Sequence, residues 1–224
     1  MIEYKGIYLP DGEMHLIEWM EKRNEIVKGK PTYQYHKLRA AVDLCPPDRR
    51  RRAIDVGAHC GLWSMHLADE FAAVVAFEPL EAHRACFYLN VTNGAVELWP
   101  NALGDSDPIE IDMTTDPTSS GDTRVREAGS IAKSSGVVEL RRLDGWRFDH
   151  VDFIKIDCEG YELPVLRGAT ETILHHRPVI CVEQKPKHAQ RYGFAETEAV
   201  AWLEKQHGYR VAKILSGDYM MVPE

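Results

Sequence analysis

The chain has 224 residues, 44% of them hydrophobic and 28% charged, with a formal net charge of -8. That size suits one packed domain with small additions, and the acidic balance opposes any general attraction to phosphate backbones or anionic membranes. The five cysteines are scattered without a C-x-x-C pair and the ten histidines form no H-x-x-x-H or H-E-x-x-H pattern, so free thiols in a reducing cytosol and no structural zinc site are expected; Asp157, Glu159 and Glu183 could supply oxygen ligands to Mg²⁺, but carboxylates near strand ends are too common to assign a metal.

The first residues lack a basic segment followed by an apolar one, and no apolar run is long enough to span a bilayer, so a cytoplasmic protein is expected. Residues 1–32 read as an N-terminal appendage, with an extended piece at 7–9, a Pro10-Asp11-Gly12 turn and a helix over 15–27. From residue 33 to 224 the pattern is that of one domain. Tyr35, Leu38 and Val42 fall at helical spacing before Pro46-Pro47 stops the helix. A strand at 53–56, a helix over 62–71, a strand at 73–77 and a helix over 81–91 follow, the last presenting Ala82, Ala85, Cys86 and Leu89 on one face.

This alternation is the rhythm of a parallel sheet with helices on both faces, an α/β Rossmann-like architecture. More strands are predicted at 96–99, 151–156 and 179–183, and helices over 163–175 and 196–206. Residues 210–215 and 219–222 around Ser216-Gly217-Asp218 predict a hairpin and hence an antiparallel edge. Strands at 109–113 and 137–143 bracket a Ser/Thr/Gly/Asp-rich stretch, 114–136, read as a mobile loop in an insertion spanning about 105–145 near the substrate side.

Ligands of open α/β sheets bind beyond the carboxyl ends of the strands. The first strand runs into Asp55-Val56-Gly57-Ala58-His59-Cys60-Gly61, where Gly57 permits a tight turn, Gly61 lets the next helix pack closely and Asp55 is placed to orient a cationic ligand group. His59 occupies the position where a dinucleotide site needs glycine for its pyrophosphate, so a phosphate-free ligand such as S-adenosylmethionine fits better. Glu78-Pro79, ending the next strand, is spaced to bind ribose hydroxyls, and Asn101-Ala102 forms a polar turn for the adenine edge.

The most specific stretch is Ile156-Asp157-Cys158-Glu159-Gly160-Tyr161-Glu162, running on to Val165-Leu166-Arg167-Gly168-Ala169. With the Asp55 to Gly61 turn and Phe77-Glu78-Pro79, it resembles the FkbM-type methyltransferase family over about residues 51–183. The resemblance implies a class I methyltransferase fold and methyl transfer to oxygen, on a hydroxyl of a sugar or small natural product. Cys60, Cys158 and the 114–136 stretch are individual to this chain.

In-line displacement from a sulfonium requires the acceptor oxygen opposite the sulfur and a group to take its proton. Asp157, at a strand end, is the expected base or positioning residue. Lys155 lies two residues back on the same strand face, where it can pair with a carboxylate or acidify a hydroxyl, and Glu159 and Glu183 complete the candidate catalytic set. With Lys185 these residues approximate the Lys-Asp-Lys-Glu set of ribose 2'-O-methyltransferases, which keeps an RNA or cap-like acceptor as an alternative. A nicotinamide-dependent oxidoreductase and a non-catalytic binding module are the alternatives from other classes. Base methylation is disfavoured, because the fourth strand ends without a D/N-P-P-Y/F turn and no cysteine follows a proline. Arg49-Arg50-Arg51-Arg52 has no interleaved aromatics to stack bases, so nucleic acid is not the favoured partner.

Overall fold

The computed structural model describes residues 1–116 and 119–224. In chain order the elements are β1 (Ile2–Tyr4), β2 (Ile7–Leu9), α1 (His15–Arg23), β3 (Ile26–Val27), β4 (Lys30–Pro31), α2 (Tyr35–Val42), β5 (Arg52–Val56), α3 (Ser64–Leu67), β6 (Ala73–Phe77), α4 (Glu81–Asn90), β7 (Val96–Trp99) and β8 (Ala102–Leu103). They continue with β9 (Ile109–Asp116), β10 (Ser119–Val125), β11 (Gly136–Arg141), β12 (Val151–Ile156), α5 (Glu162–Arg167), α6 (Thr170–His176), β13 (Val179–Glu183), α7 (Glu198–His207), β14 (Tyr209–Leu215) and β15 (Asp218–Pro223).

Seven strands form the central sheet in the order β14-β15-β13-β12-β5-β6-β7. β13, β12, β5, β6 and β7 are parallel, and β15 adds the expected antiparallel hairpin with β14. Near-continuous apolar runs suit strands covered on both faces. Side chains alternate across the pleat: Ile54, Val56, Ile154, Ile156, Ile180 and Val182 pack with Leu163, Leu166 and Leu203, while Ala53, Phe153 and Cys181 pack with Leu38, Val42 and Leu67. All six β12 residues are buried, including two charged ones. Asp152 is paired with Arg51, its Oδ2 accepting from Arg51 Nε at 2.7 Å, and Lys155 is matched in register with Asp55.

A second sheet has the strand order β10-β9-β11-β8. The stretch expected as a loop, 114–136, thus contains a strand; its residues 117 and 118 lie outside the described residues. Polar composition concealed β10, whose pairing with β9 is interrupted by a register shift between Ser119 and Thr123.

Several helices differ from the periodicity. α1 ends at Arg23 because Asn24 takes a left-handed conformation and its N–H caps Met20 O, leaving room for the β3–β4 hairpin. The segment 62–71 is regular α-helix only at Ser64–Leu67, mixed i−3 and i−4 hydrogen bonds tightening the remainder. α4 buries His83, Cys86, Phe87 and Asn90 and leaves Leu89 exposed, because its inner face meets β2 and the Cys60 turn rather than aliphatic core. The predicted 163–175 helix breaks at Gly168, where a Cβ would lie 1.8 Å from Gly104 O.

The N-terminal elements dock by packing Ile7, Leu9, Leu16 and Met20 on Cys60, Leu62 and Cys86. Buried Asn90 fastens them: its Oδ1 accepts from Tyr8 N at 2.7 Å, and its Nδ2 donates to Tyr8 O and Cys60 O, both at 2.8 Å. Asn90→Ala strands these buried backbone groups, and urea unfolding is expected to register a loss of about 2–4 kcal/mol with earlier proteolysis within residues 1–30; unchanged stability would contradict this docking role.

Candidate functional site

The carboxyl ends of β5, β6, β12 and β13 open onto a cleft of two chambers that share Gly57, His59, Gly121 and Asp157. Gly57 is demanded twice over: its φ is 73°, and a Cβ there would lie 2.0 Å from Asp157 O. The glycine turn after β5 therefore lies directly on the backbone end of β12.

The first chamber has an apolar wall including Val56, Phe77, Leu103, Met113 and Val125. Glu78, Asn101 and Asp157 are among its polar members on the sheet side. Glu78 Oε2 accepts from His59 N at 2.9 Å, while Oε1 accepts from Leu80 N at 2.9 Å and stands 3.1 Å from His83 Nδ1. With four lone-pair directions on a carboxylate, one on Oε2 stays available to a ligand. Asn101 Nδ2 donates to Glu139 Oε1 at 2.9 Å. His59 adopts a left-handed backbone, stacks edge-on against His83 at 4.3 Å and places Nε2 2.9 Å from Ser120 Oγ. Burial and the neighbouring His83 hold its pKa well below 6.5, so the imidazole is neutral.

The second chamber, about 330 Å³, is the more polar of the two and is built from more distant parts of the chain. His15, Leu16 and Tyr33 come from the N-terminal elements, Ser119, Gly121 and Asp122 from β10, and Trp63, Asp157, Glu159, Lys185 and His188 from the sheet side. Lys155 Nζ donates to Gly57 O at 2.9 Å and lies 3.3 Å from Asp55 Oδ1 and 3.9 Å from Asp157 Oδ2. Burial works to lower its pKa, but Asp55 and Asp157 outweigh that and keep it charged. For Asp157, burial works to raise the pKa, but Lys155 and Lys185 prevail and hold the carboxylate below its ordinary value. Glu183 goes the other way, pushed well up by burial and by Asp157. Lys185 Nζ lies 2.8 Å from Glu183 Oε2 and 3.4 Å from Glu159 Oε1. Burial likewise raises Tyr33, so its phenol stays neutral.

Most of the residues expected from the sequence meet here. Gly57, Ala58, His59, Glu78, Pro79, Asn101, Ala102, Lys155, Asp157 and Glu159 line the cleft. Asp55 does not: it is fully buried beneath the turn, its Oδ2 accepting from Ser64 Oγ at 2.6 Å and its other oxygen facing Lys155. Gly61 also lies outside the walls, and a Cβ there would meet Val91 and Phe87 at 2.4 and 2.8 Å. Glu183 sits behind Lys185. The Arg49–Arg52 run lies at the opposite, amino edge of the sheet, engaged with His176 O, Glu70, Asp152 and Asp149 O. Tyr33 and His15 were not anticipated, because nothing local ties them to the motifs, whereas the β10 residues belong to the insertion expected near the substrate side.

The acidic motif after β12 divides its labour. Glu159 takes a left-handed backbone and faces the second chamber. Glu162 turns inward, its Oε1 accepting from Cys158 N at 3.1 Å and Gly160 N at 2.9 Å, and Gln184 Nε2 donating to Oε2 at 3.2 Å. Glu162 thus holds the turn in shape. Gly160 passes under His188, whose carbonyl carbon and oxygen would lie 2.5 and 2.4 Å from a Cβ.

A mostly parallel sheet with a glycine turn and acids at successive strand ends defines a class I methyltransferase fold. The Methyltransferase FkbM domain model matches residues 55–211, and the chain belongs to that family. No curated protein matches the chain. Among solved structures, cofactor-bound Rv0187 from MTB is similar with a TM-score of 0.55 and 12% identity, over 92% of this chain and 86% of that one. A caffeoyl-CoA O-methyltransferase assignment from Staphylococcus aureus has a TM-score of 0.53 and 13% identity, over 93% and 90%. An FkbM methyltransferase from Methylobacillus flagellatus KT shares 17% identity at a TM-score of 0.49 over 77% of this chain; the match spans 43% of that protein's length.

Burial pushes Glu162 from 4.5 up to about 7. A folded-state pKa above the unfolded one means the folded chain holds a proton that the unfolded chain releases, so stability falls as pH rises from about 4.5 to about 7. Glu162→Gln keeps the Oε1 acceptor and removes this dependence. Denaturation at several pH values should show wild type losing up to ~3 kcal/mol relative to the variant across that window, and parallel curves would contradict the buried titration.

Proposed function

We propose that this methyltransferase carries the methyl group of S-adenosylmethionine to a hydroxyl oxygen of a small molecule or sugar in the cytoplasm. The observation carrying this reading is the placement of Asp157 where an apolar chamber meets a polar one. The donor fits the residues present. His59 fills the place a pyrophosphate would need, Glu78 keeps an acceptor direction for a ribose hydroxyl, and the ionised Asp157 suits a neighbouring sulfonium. When bound, that cofactor supplies an electrophilic methyl group.

In this reading, Gly57, Ala58 and His59 present the turn's backbone to the cofactor, Glu78 and Pro79 border its ribose, and Asn101 and Ala102 border adenine. Asp157 accepts a hydrogen bond from the acceptor hydroxyl, aligns its oxygen and takes its proton as the new carbon–oxygen bond forms. Lys155 keeps Asp157 ionised and the turn in place, and Asp55 acts through Lys155 rather than by touching the ligand. Glu183 and Glu159, bridged by Lys185, form the wall behind Asp157. The domain over 33–224 supplies the chemistry and residues 1–32 close part of the acceptor chamber. An RNA acceptor is disfavoured because the arginine run is at the far edge of the sheet and engaged in internal contacts. Among the described residues, no helix is long and apolar enough to cross a membrane.

S-adenosylhomocysteine should raise the melting temperature of the wild type, Glu78→Ala should weaken its binding at least tenfold (about 1.4 kcal/mol), and Asp157→Asn should retain binding. With labelled S-adenosylmethionine and a panel of hydroxylated acceptors, Asp157→Asn should lower transfer about 100-fold or more. Absence of any thermal shift at saturating ligand would overturn the cofactor assignment, and full activity of Asp157→Asn would overturn the proton-accepting role.

A further inference from the structure

One wall of the acceptor chamber carries more carboxylate than its neighbours balance. Asp157, Glu159 and Glu183 converge there against two ammonium groups, Lys155, which Asp157 shares with Asp55, and Lys185, the one that lies against Glu159 and Glu183. Glu183 is 2% exposed, and among the described residues its carboxyl group has no well-aligned hydrogen bond, only the Lys185 ammonium 2.8 Å from Oε2. A buried carboxylate in that condition is costly unless a cation completes it. Glu159 reaches the same point from a left-handed backbone, a conformation that disfavours a side chain unless the surroundings enforce it.

The third member is His188, just beyond β13. Its Nδ1 lies 2.7 Å from Glu159 Oε2, yet neither atom has a hydrogen-bond partner. Two donors bound to one ion at about 2.1 Å and near a right angle stand about 3 Å apart, so this spacing suits neighbouring ligands. One donor atom from each of Glu159, Glu183 and His188 falls within 4.8 Å of the other two. These groups come from the turn after β12, the end of β13 and the segment following it, so the tertiary fold assembles the set and no H-x-x-x-H spacing announces it.

We propose that Glu159, Glu183 and His188 form a binding site for one divalent transition-metal ion, with the Lys185 ammonium as its competitor. Two carboxylates and one imidazole favour ions such as Mn²⁺ or Zn²⁺ over Ca²⁺. Lys185 sits among the ligands in this structure, and its side chain is 37% exposed, so it has a route to swing toward solvent. The site adjoins Asp157 on the chamber wall. The ion-binding claim stands on this cluster alone; its consequence for catalysis, acidifying an acceptor hydroxyl bound to the ion, rests on the function proposed above.

The test is a Mn²⁺ titration of chelator-stripped, full-length protein, followed by the electron paramagnetic resonance signal of free Mn²⁺, with S-adenosylhomocysteine binding measured on the same samples. One ion per chain is expected. Glu183→Gln and His188→Ala should each weaken binding at least tenfold, and Lys185→Met should tighten it at least threefold, with circular dichroism confirming that each variant is folded. If Glu183→Gln does not fold, His188→Ala and Lys185→Met still decide the matter. Wild type that takes up no stoichiometric Mn²⁺, or equal affinity in wild type and His188→Ala, overturns the site. Loss of Mn²⁺ uptake with S-adenosylhomocysteine binding intact refutes this inference alone, whereas failure of wild type to bind S-adenosylhomocysteine refutes the cofactor reading.

Discussion

The buried ion pair between Lys155 and Asp55 joins two neighbouring parallel strands at the level where the sheet ends and the cleft begins. Lys155 also donates to Gly57 O, so one ammonium fixes β5, β12 and the glycine turn together. Removing Lys155 would leave the buried Asp55 charge uncompensated, a cost of about 3–5 kcal/mol. The same contact holds Asp157 within 3.9 Å of the ammonium, linking the shape of the cofactor turn to the charge of the residue facing the acceptor chamber.

Around that fixed edge, the variable parts of the chain make the walls. Glu13, 1% exposed, caps Leu16 N through Oε1 and receives Ser120 N and Oγ on Oε2 at 2.7 and 2.5 Å. Ser120 in turn touches His59, and Tyr192 donates to Val125 O at 2.7 Å. The N-terminal elements, β10 and the turn after β5 are therefore mutually braced. This allows a polar, glycine-containing strand to stand over the cleft despite weak intrinsic preference for extended structure.

The central sheet was legible because its strands are apolar runs interrupted by helical periodicity, and the hairpin at the carboxyl end carried its own turn signal. The family resemblance rested on the Ile156 to Glu162 run, which does form the turn bordering the cleft. What the sequence withheld was direction. Asp55 and Glu78 are both acids ending strands, yet Asp55 points beneath the turn and Glu78 into the chamber, a difference set by Lys155, distant in sequence but on the neighbouring strand β12. Glu162 and Glu159 are likewise alike as letters, and only the fold separates the turn-holding acid from the cleft-facing one. The α4 face was misread because Asn90 and His83 are buried for their hydrogen bonds, which a count of apolar residues does not register. Tyr33 and His15 reach the site only through tertiary packing.

The account is tested most directly by a crystal structure of the protein grown with S-adenosylhomocysteine. It predicts adenosine in the apolar chamber between Glu78 and Asn101, with the ligand's sulfur at the junction beside Asp157. Density for the ligand at any other edge of the sheet, or a sulfur turned away from Asp157, would contradict it.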